Sequence, residues 1–490
     1  MYLKLRNNII FRNYESFGYI TDNRNFGYTA AYNKTDIGDK IISDSGAIFV
    51  SVLSRTPQTI DKLVSKIVSR LVDVDINIIK HDAIEFYYIL EQEGFIVSGK
   101  TFQECEDKDT RFSYKELESE SIEEMLYLKT RSLKKDTQVF FAEHFKGSPQ
   151  LMSLHIELTS KCNERCIHCY IPHEDKICNI DADLFYDVIN QCKDLNVLHL
   201  TLSGGEPMLH KNFCDFLKKC REYNFSVNIL SNLTLLSDEI LNEMKANPLL
   251  GVQVSLYSMN PDIHDEITQM KGSFDKTKNA ILKLIENDIP LQISCPIMKQ
   301  NKDCYNEVVL WAKQHNIRTG DDFVIIARYN HTTQNLNCRL SLNEVKDVIN
   351  DKVAADTKYL EQIEIEAENK KRIRPDDFIC TACNYSICIA DNGNVFPCAG
   401  WQSYVVGNVR ETTLKEIWIN SEKVKYLRGI RQKDFPACVK CEDKEYCSIC
   451  MVRNSNESPN GDPLAVNRYF CDIAKFNKMK VLEWKEKQDS

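Results

Sequence analysis

Cys162-Asn163-Glu164-Arg165-Cys166-Ile167-His168-Cys169-Tyr170 decides how the rest of the chain is read. It sets three cysteines in CxxxCxxC spacing just after Leu154, Ile156 and Leu158, whose alternation predicts a strand. Three thiolates on one short loop can hold three irons of a cubane 4Fe–4S cluster and leave the fourth iron open. A cluster held by four cysteines is complete and mostly moves electrons, whereas one held by three has room for a small molecule. The same spacing suits a zinc knuckle, completed by a fourth ligand. The strand before the loop, the aromatic after it and the Gly-Gly-Glu-Pro further on favour iron.

Outward from this loop, residues 151 to about 340 alternate strand and helix. Strands are expected at Leu154–Leu158, Val197–Leu202, Ser226–Leu230, Val252–Leu256, Leu291–Pro296 and Phe323–Ala327. Helices are expected at Asp181–Leu195, Asn212–Tyr223, Ser237–Ala246, Phe274–Glu286 and Asp303–His315. Repeated βα units imply a parallel sheet with right-handed crossovers. Six strands rather than eight suggest a partial (β/α)6 TIM barrel, whose ligands bind at the carboxyl ends of the strands. Ser203-Gly204-Gly205-Glu206-Pro207 closes the second strand, and adjacent glycines let backbone approach a ligand closely. A plain strand-to-helix turn reads the same way. Asn232, Ser255 and Ser294 occupy matching strand ends and are candidates for ligand contact, although such residues are usually turn formers.

The chain has 490 residues, enough for two to four domains. Lys plus Arg number 62 against 71 Asp plus Glu, a net charge of −9 that supplies no bulk attraction to nucleic acid or an anionic membrane. No apolar run approaches a membrane span and the polar start is unlike a signal peptide, so a cytoplasmic protein is expected. In a reducing compartment the 20 cysteines are thiols or metal ligands rather than disulfides. Isolated ones such as Cys105, Cys192, Cys214, Cys220 and Cys304 read as small hydrophobes.

Residues 1–100 read as a separate unit. Leu3–Phe11 and Tyr19–Thr29 suggest a β-meander. A helix near Ser45–Ser54 follows, and Ile60, Leu63, Val64, Ile67, Val68 and Leu71 fall at helical spacing. A third helix, Ile78–Glu93, stops at Gly94, and Phe95-Ile96-Val97 supplies a wing strand. A DNA-binding winged helix would want Lys and Arg along that third helix, which carries little basic charge. Residues 101–150 are charged, with Ile122, Met125 and Leu126 as the clear apolar positions, and read as a helical linker. Residues 341–375 read as a helical bridge.

The region 376–490 holds the second cysteine set. Cys380 and Cys383 precede Asp391-Asn392-Gly393-Asn394-Val395-Phe396-Pro397-Cys398, a hairpin-like turn followed by GxxxxC. Cys438 and Cys441, then Cys447 and Cys450, form two CxxC pairs, and Cys471 stands apart. The two pairs alone also fit a four-thiolate zinc site.

CxxxCxxC followed by an aromatic resembles the signature of radical S-adenosylmethionine (SAM) enzymes, matched by Cys162, Cys166, Cys169 and Tyr170. The resemblance implies that the open iron chelates SAM, which an electron then splits to a 5′-deoxyadenosyl radical that abstracts a substrate hydrogen. It also implies that Gly204, Gly205, Glu206 and Pro207 hold the methionine amino group. Asn232, Ser255 and Ser294 become candidates for the SAM carboxylate and ribose.

The later cysteines resemble the SPASM extension of radical SAM peptide-modifying enzymes, which binds two auxiliary 4Fe–4S clusters, making three in all. Carried over, Cys380, Cys398 and Cys450 serve the first auxiliary cluster. Cys438, Cys441, Cys447 and Cys471 serve the second. The fourth ligand of the first is open between Cys383 and an unfilled position able to take a substrate thiolate. Cys388 looks structural. The last CxxC gap is two residues where the commonest family pattern has three.

Residues 1–100 are similar to the recognition element of ribosomal peptide-modifying enzymes, which binds a leader peptide as an added strand. Tyr257-Ser258-Met259-Asn260-Pro261, His264-Asp265 and Gly272-Ser273-Phe274 are similar to a segment of thioether-forming maturases. Together these resemble sactipeptide and ranthipeptide synthases. The implied function is thioether formation between a cysteine sulfur and a carbon of another residue in a ribosomally made precursor. The implied partners are that peptide and an electron donor such as flavodoxin or ferredoxin. A carbon–carbon crosslinking or side-chain-oxidising maturase shares the same domains, and an iron–sulfur or zinc DNA-binding regulator is the non-enzymatic rival.

Overall fold

The computed structural model describes residues 1–22, 38–109, 141, 144–145 and 149–489. Most of the expected linker, with Ile122, Met125 and Leu126, and the far end of Tyr19–Thr29 lie outside the described residues.

In the N-terminal unit, β1 (Tyr2–Leu5) lies antiparallel to both β5 (Gln58–Thr59) and β6 (Ile96–Gly99). Three further strands, β2 (Ile10–Asn13), β3 (Phe17–Thr21) and β4 (Asp39–Ser43), form a second antiparallel sheet. The expected strand Leu3–Phe11 therefore divides between two sheets, because a turn in which Ile9 N donates to Arg6 O interrupts it. The meander is β2-β3-β4. Helices α1 (Asp44–Ser51), α2 (Ile60–Val68) and α3 (Ile76–Gln92) follow. The stripe Ile60, Leu63, Val64 and Ile67 buries one face of α2, and Gly94 ends α3 with a left-handed φ of 83°. The short α4 (Phe102–Asp107) belongs with this unit rather than with a linker. Fully buried Lys4 on β1 bonds Glu106 at 2.8 Å and Asp109 at 3.0 Å.

This unit docks on the amino end of the central barrel. Ile10, Tyr14, Phe17 and Tyr19 pack against Met152, Leu198 and Leu249, which lie at or just before the starts of barrel strands. Arg12 donates to Val197 O and Asn224 O, both at 3.0 Å.

The barrel comprises β7 (Ser153–Thr159), β8 (His199–Gly204), β9 (Ser226–Ser231), β10 (Leu250–Ser255), β11 (Leu291–Ser294) and β12 (Arg318–Gly320), parallel and adjacent in chain order. One side-chain phase (Leu154, Ile156, Leu200, Leu202, Val227, Ile229, Val252 and Val254) is buried in the main core with Phe185 and Phe216 of the covering helices. The other phase, including His155, Glu157, Thr201, Ser203 and Gln253, lines the inner wall. The covering helices are Ala182–Asp194, Phe213–Glu222, Asp238–Ala246, Ser273–Glu286 and Tyr305–Gln314. A further one, Pro261–Thr268, has no counterpart in the sequence expectation.

The sixth strand is Arg318–Gly320, not Phe323–Ala327. Phe323, Ile325 and Ala327 do alternate inward, but their backbone finds side chains rather than a strand. Asn335 donates to Ile326 O, Arg339 to Ile325 O and Asn456 to Ala327 O.

Beyond the barrel, the expected bridge contains helices Leu342–Ala355 and Lys358–Lys370, the first begun by a Ser341–Glu344 capping box. Then β13 (Ser386–Ile389) pairs parallel with β7, and β14 (Asn394–Phe396) and β15 (Gly407–Asn408) continue antiparallel. The barrel sheet thus runs on to nine strands, and the cysteine-rich region is built onto its edge. No helix among the described residues is long and apolar enough to cross a membrane.

Candidate active site

The CxxxCxxC loop leaves the carboxyl end of β7 and is held on three sides. Arg165 N and Ile167 N donate to Thr268 O and Ile267 O at 3.0 Å. Asn335 donates to His168 O at 3.1 Å, and Tyr329 N to Tyr170 O at 3.2 Å. Asn163 donates to Thr234 Oγ1 at 2.7 Å and accepts from Asn232 Nδ2 at 3.1 Å.

The helix that presents Ile267 and Thr268 is built by the Tyr257–Phe274 segment. Asn260 caps it, accepting from Asp262 N at 2.9 Å. His264 Nδ1 accepts from Tyr257 N at 3.2 Å. Asp265 accepts from Gly272 N, Ser273 Oγ and Phe274 N, fixing the start of the next helix. These residues position the cysteine loop through its backbone.

Gly204 and Gly205 are required by protein backbone. A Cβ on Gly204, whose φ is +138°, would stand 1.9 Å from Thr159 O, and one on Gly205 would stand 2.2 Å from Lys161 O. The two glycines let β8 close against the chain entering the cysteine loop, with Gly205 N donating to Thr159 O at 2.7 Å and Glu206 N to Lys161 O at 2.9 Å. On the Cβ side, the close approach that the two glycines permit is made by this loop. Glu206 is fully buried and accepts from Met208 N at 3.0 Å, Ser231 Oγ at 2.8 Å and Asn232 N at 2.8 Å. Three donors and no acceptor mark it as a carboxylate, although burial pushes its pKa up to about 7. Pro207 begins a 3-10 turn. Ser255 and Ser294 end β10 and β11 in direct register.

The three thiols crowd one another. Burial pushes Cys162 up to about 12, and Cys166 well above the ordinary thiol value, with Glu164, Cys169 and Cys162 adding to the shift. A bound metal supplies the positive charge that offsets such costs, since coordination deprotonates a thiol outright. Glu164 Oε1 and His168 Nδ1, both on this loop, are buried with no hydrogen-bond partner among the described residues. They offer unused polar atoms beside the thiols, and Lys176 adds a cation close to Cys162 and Glu164. The donor set therefore fits an iron–sulfur cluster with a polar small molecule.

The later cysteines fall into two groups. Burial raises Cys380, with the Cys450 thiol close by; Cys383 is pushed up to about 12 beside Cys380 and Cys398; Cys398 reaches about 11 beside Cys450 and Cys380. Separately, Cys438 neighbours Cys447, Cys471 and Cys441, and Cys471 neighbours Cys447 and Cys441. Cys383 is buried at a left-handed φ of 59° and joins the first group. Cys388 is buried on β13 and faces Glu157 as well as Cys398.

Several residues of the site were not singled out from sequence. Glu157 and His155 share the inward phase of the strand whose outward phase was read, so the same alternation locates them. His168 meets Tyr257 OH at 3.2 Å. Gln402 donates to Glu157 Oε2 at 2.6 Å across 245 residues, a contact with no sequence signal. His155, Glu157 and Cys388 have donor atoms within 4.8 Å of one another.

The family model of the Radical SAM superfamily matches residues 156–312, and that of the SPASM iron–sulfur cluster-binding domain matches residues 380–450. The chain is 26% identical over 369 residues to a tungsten-containing aldehyde ferredoxin oxidoreductase cofactor-modifying protein of Pyrococcus furiosus, covering 67% of this chain and 99% of that one. It is 27% identical over 321 residues to the antilisterial bacteriocin subtilosin biosynthesis protein AlbA of Bacillus subtilis, covering 63% and 69%. Among solved structures it shares its fold with Streptococcus suis SuiB bound to precursor peptide SuiA. There the TM-score is 0.58 at 16% identity, over 94% of this chain and 98% of that one. It also shares its fold with anSMEcpe bearing bound AdoMet, with a TM-score of 0.53 at 16% identity, over 69% and 95%. This chain carries a radical SAM domain joined to a C-terminal SPASM iron–sulfur domain.

Proposed function

We propose that this radical SAM enzyme acts on a ribosomally made, leader-bearing peptide and forms an intramolecular thioether between a cysteine sulfur and a carbon of another residue. The observation that carries the proposal is the placement of two thiol groups about one polar inner wall. The Cys162–Cys169 loop leaves the barrel mouth, and Cys398 and Gln402 approach the same wall from the C-terminal region. Similarity to a bacteriocin biosynthesis protein, and a fold shared with an enzyme solved with its precursor peptide, support a peptide substrate.

In this proposal residues 1–109 form the leader-recognition unit, the stretch from there to 150 the linker, 151–340 the radical SAM barrel, 341–375 the bridge and 376–490 the auxiliary domain. Cys162, Cys166 and Cys169 hold the SAM-binding cluster. Cys380, Cys383, Cys398 and Cys450 hold the first auxiliary cluster, and Cys438, Cys441, Cys447 and Cys471 the second. When bound, the clusters and SAM supply the one-electron chemistry that removes a substrate hydrogen. The protein's own part is placement: Asn163, Asn335 and Thr268 fix the loop, and Glu206 locks β8 to β9 beneath it. Tyr170 closes the wall facing Cys398. A flavodoxin or ferredoxin is the proposed electron donor. Tethering through a leader raises the local concentration of the peptide core at the barrel mouth.

Anaerobic coexpression with the precursor peptide tests this. A loss of two hydrogens per crosslink, with cysteines that resist alkylation, is expected. A product lighter by two hydrogens whose cysteines still alkylate would instead identify a carbon–carbon crosslinking enzyme.

A further inference from the structure

Glu157 stands on the inner wall of the barrel and is 2% exposed. Its neighbours come from every element around it. Tyr170, next to Cys169, donates to Oε1 at 3.4 Å, and Gln402, four residues past Cys398, donates to Oε2 at 2.6 Å. His155 precedes it on the same face, Cys388 faces it from β13, and Asp391 and Tyr329 lie close enough to act on the local charge. Among the described residues no cation is one of the groups acting on it. His155 is itself held neutral at ordinary pH, burial lowering it to about 4. A buried carboxylate without a counter-charge is costly, and groups shifted in this way cluster at functional sites.

The position lies between the two cluster loops. Tyr170 lies close to both Cys169 and Cys398, and its hydroxyl reaches Glu157. Burial also pushes the carboxyl up to about 8, close to the ordinary value of a thiol near 8.5. Matched acidities allow a proton to pass without a large uphill step.

Thioether formation needs such an acceptor. One C–H and one S–H bond of the peptide break and one C–S bond forms. The carbon's hydrogen leaves as an atom to the nucleoside derived from SAM, and one electron leaves to the auxiliary iron–sulfur centre. The thiol proton needs a base. Resting on the thioether reading, we propose that Glu157 is the proton acceptor for the substrate cysteine. The carboxylate form does this work, so coupling strengthens as pH rises through about 8 and weakens below it.

The experiment uses the full iron-loaded chain with its coexpressed precursor, comparing the parent with Glu157→Gln and Glu157→Asp. Three quantities are read: crosslinks per 5′-deoxyadenosine, the pH profile of that ratio, and deuterium gained by uncrosslinked peptide in D2O. In Glu157→Gln the ratio is expected to fall roughly a hundredfold, the acid limb to vanish, and recovered peptide to carry one deuterium on the acceptor carbon. Glu157→Asp is expected to restore the limb. A Glu157→Gln enzyme that keeps the parent ratio and acid limb overturns the proposal. So does one that loses the iron chromophore with no rescue by Asp, which makes Glu157 structural. A mononuclear metal present in the parent and lost in both Glu157→Gln and Cys388→Ser also overturns it, because the cluster with His155 is then a metal site. Parent product whose cysteines still alkylate sinks the thioether reading itself, whatever Glu157→Gln does.

Discussion

Glu206 and Ser231 meet at 2.8 Å, the carboxylate after one barrel strand accepting the hydroxyl that ends the next. With Met208 N and Asn232 N also donating, the fully buried carboxylate ties two strand ends under the cysteine loop. Glu206→Gln turns an amide N–H toward a donor. The expected cost is about 2–3 kcal/mol, read as a lower denaturation midpoint with unchanged slope. An unshifted midpoint would show that the tie contributes little.

Gly204→Ala forces a Cβ into the space 1.9 Å from Thr159 O. The loop must move, and the first cluster is expected to be lost while the auxiliary sites load. Iron should drop by about four per chain, with 5′-deoxyadenosine formation abolished. Full iron content in this variant would contradict the packing account.

Cys383→Ser and Cys388→Ser separate the expected fourth ligand from the cysteine expected to be structural. Cys383 groups with Cys380 and Cys398, so its loss should alter the electron paramagnetic resonance signal of the first auxiliary cluster. Cys388→Ser should leave that signal in place. The reverse pattern would reassign the fourth ligand.

Gln402→Leu removes the shorter of the two hydrogen bonds to Glu157. A bond to the charged form lowers a carboxyl pKa, so its removal raises it. The acid limb of the crosslink-to-deoxyadenosine ratio should therefore move to higher pH than in the parent. A limb that stays or moves down would mean that Gln402 does not act through this carboxylate.

Lys4→Met leaves Glu106 and Asp109 without their shared cation, Lys4 and Asp109 having side chains 1% and 4% exposed. Breaking such a pair costs about 3–5 kcal/mol. Burial lowers the lysine's pKa, but the hydrogen bonds it donates to both acids, with their negative charge, leave it raised. Its contribution is fully present below the ordinary lysine value and is lost only as pH rises through the raised one. The destabilisation should thus be constant from about pH 6 to 9. A strong pH dependence in that window, seen by denaturant titration, would count against it.

Much of the barrel is legible in period-two alternation. Leu154, Ile156 and Leu158 reveal one face of β7, and by the same periodicity place His155 and Glu157 on the other. The sixth strand fails because alternation reports burial and not pairing: Phe323, Ile325 and Ala327 are buried, yet side-chain amides and a guanidinium satisfy that backbone.

By itself the sequence determined the three-thiol loop after a strand, the glycine pair after the next, and the succession of βα units. All of these are local patterns set by spacing and propensity. Only the tertiary structure decided that β13 extends the barrel sheet beside β7, which later thiols share a group, and that Gln402 reaches Glu157. Those contacts join residues more than two hundred positions apart or depend on side-chain direction. Chain geometry in three dimensions selects them, and no short-range periodicity encodes it.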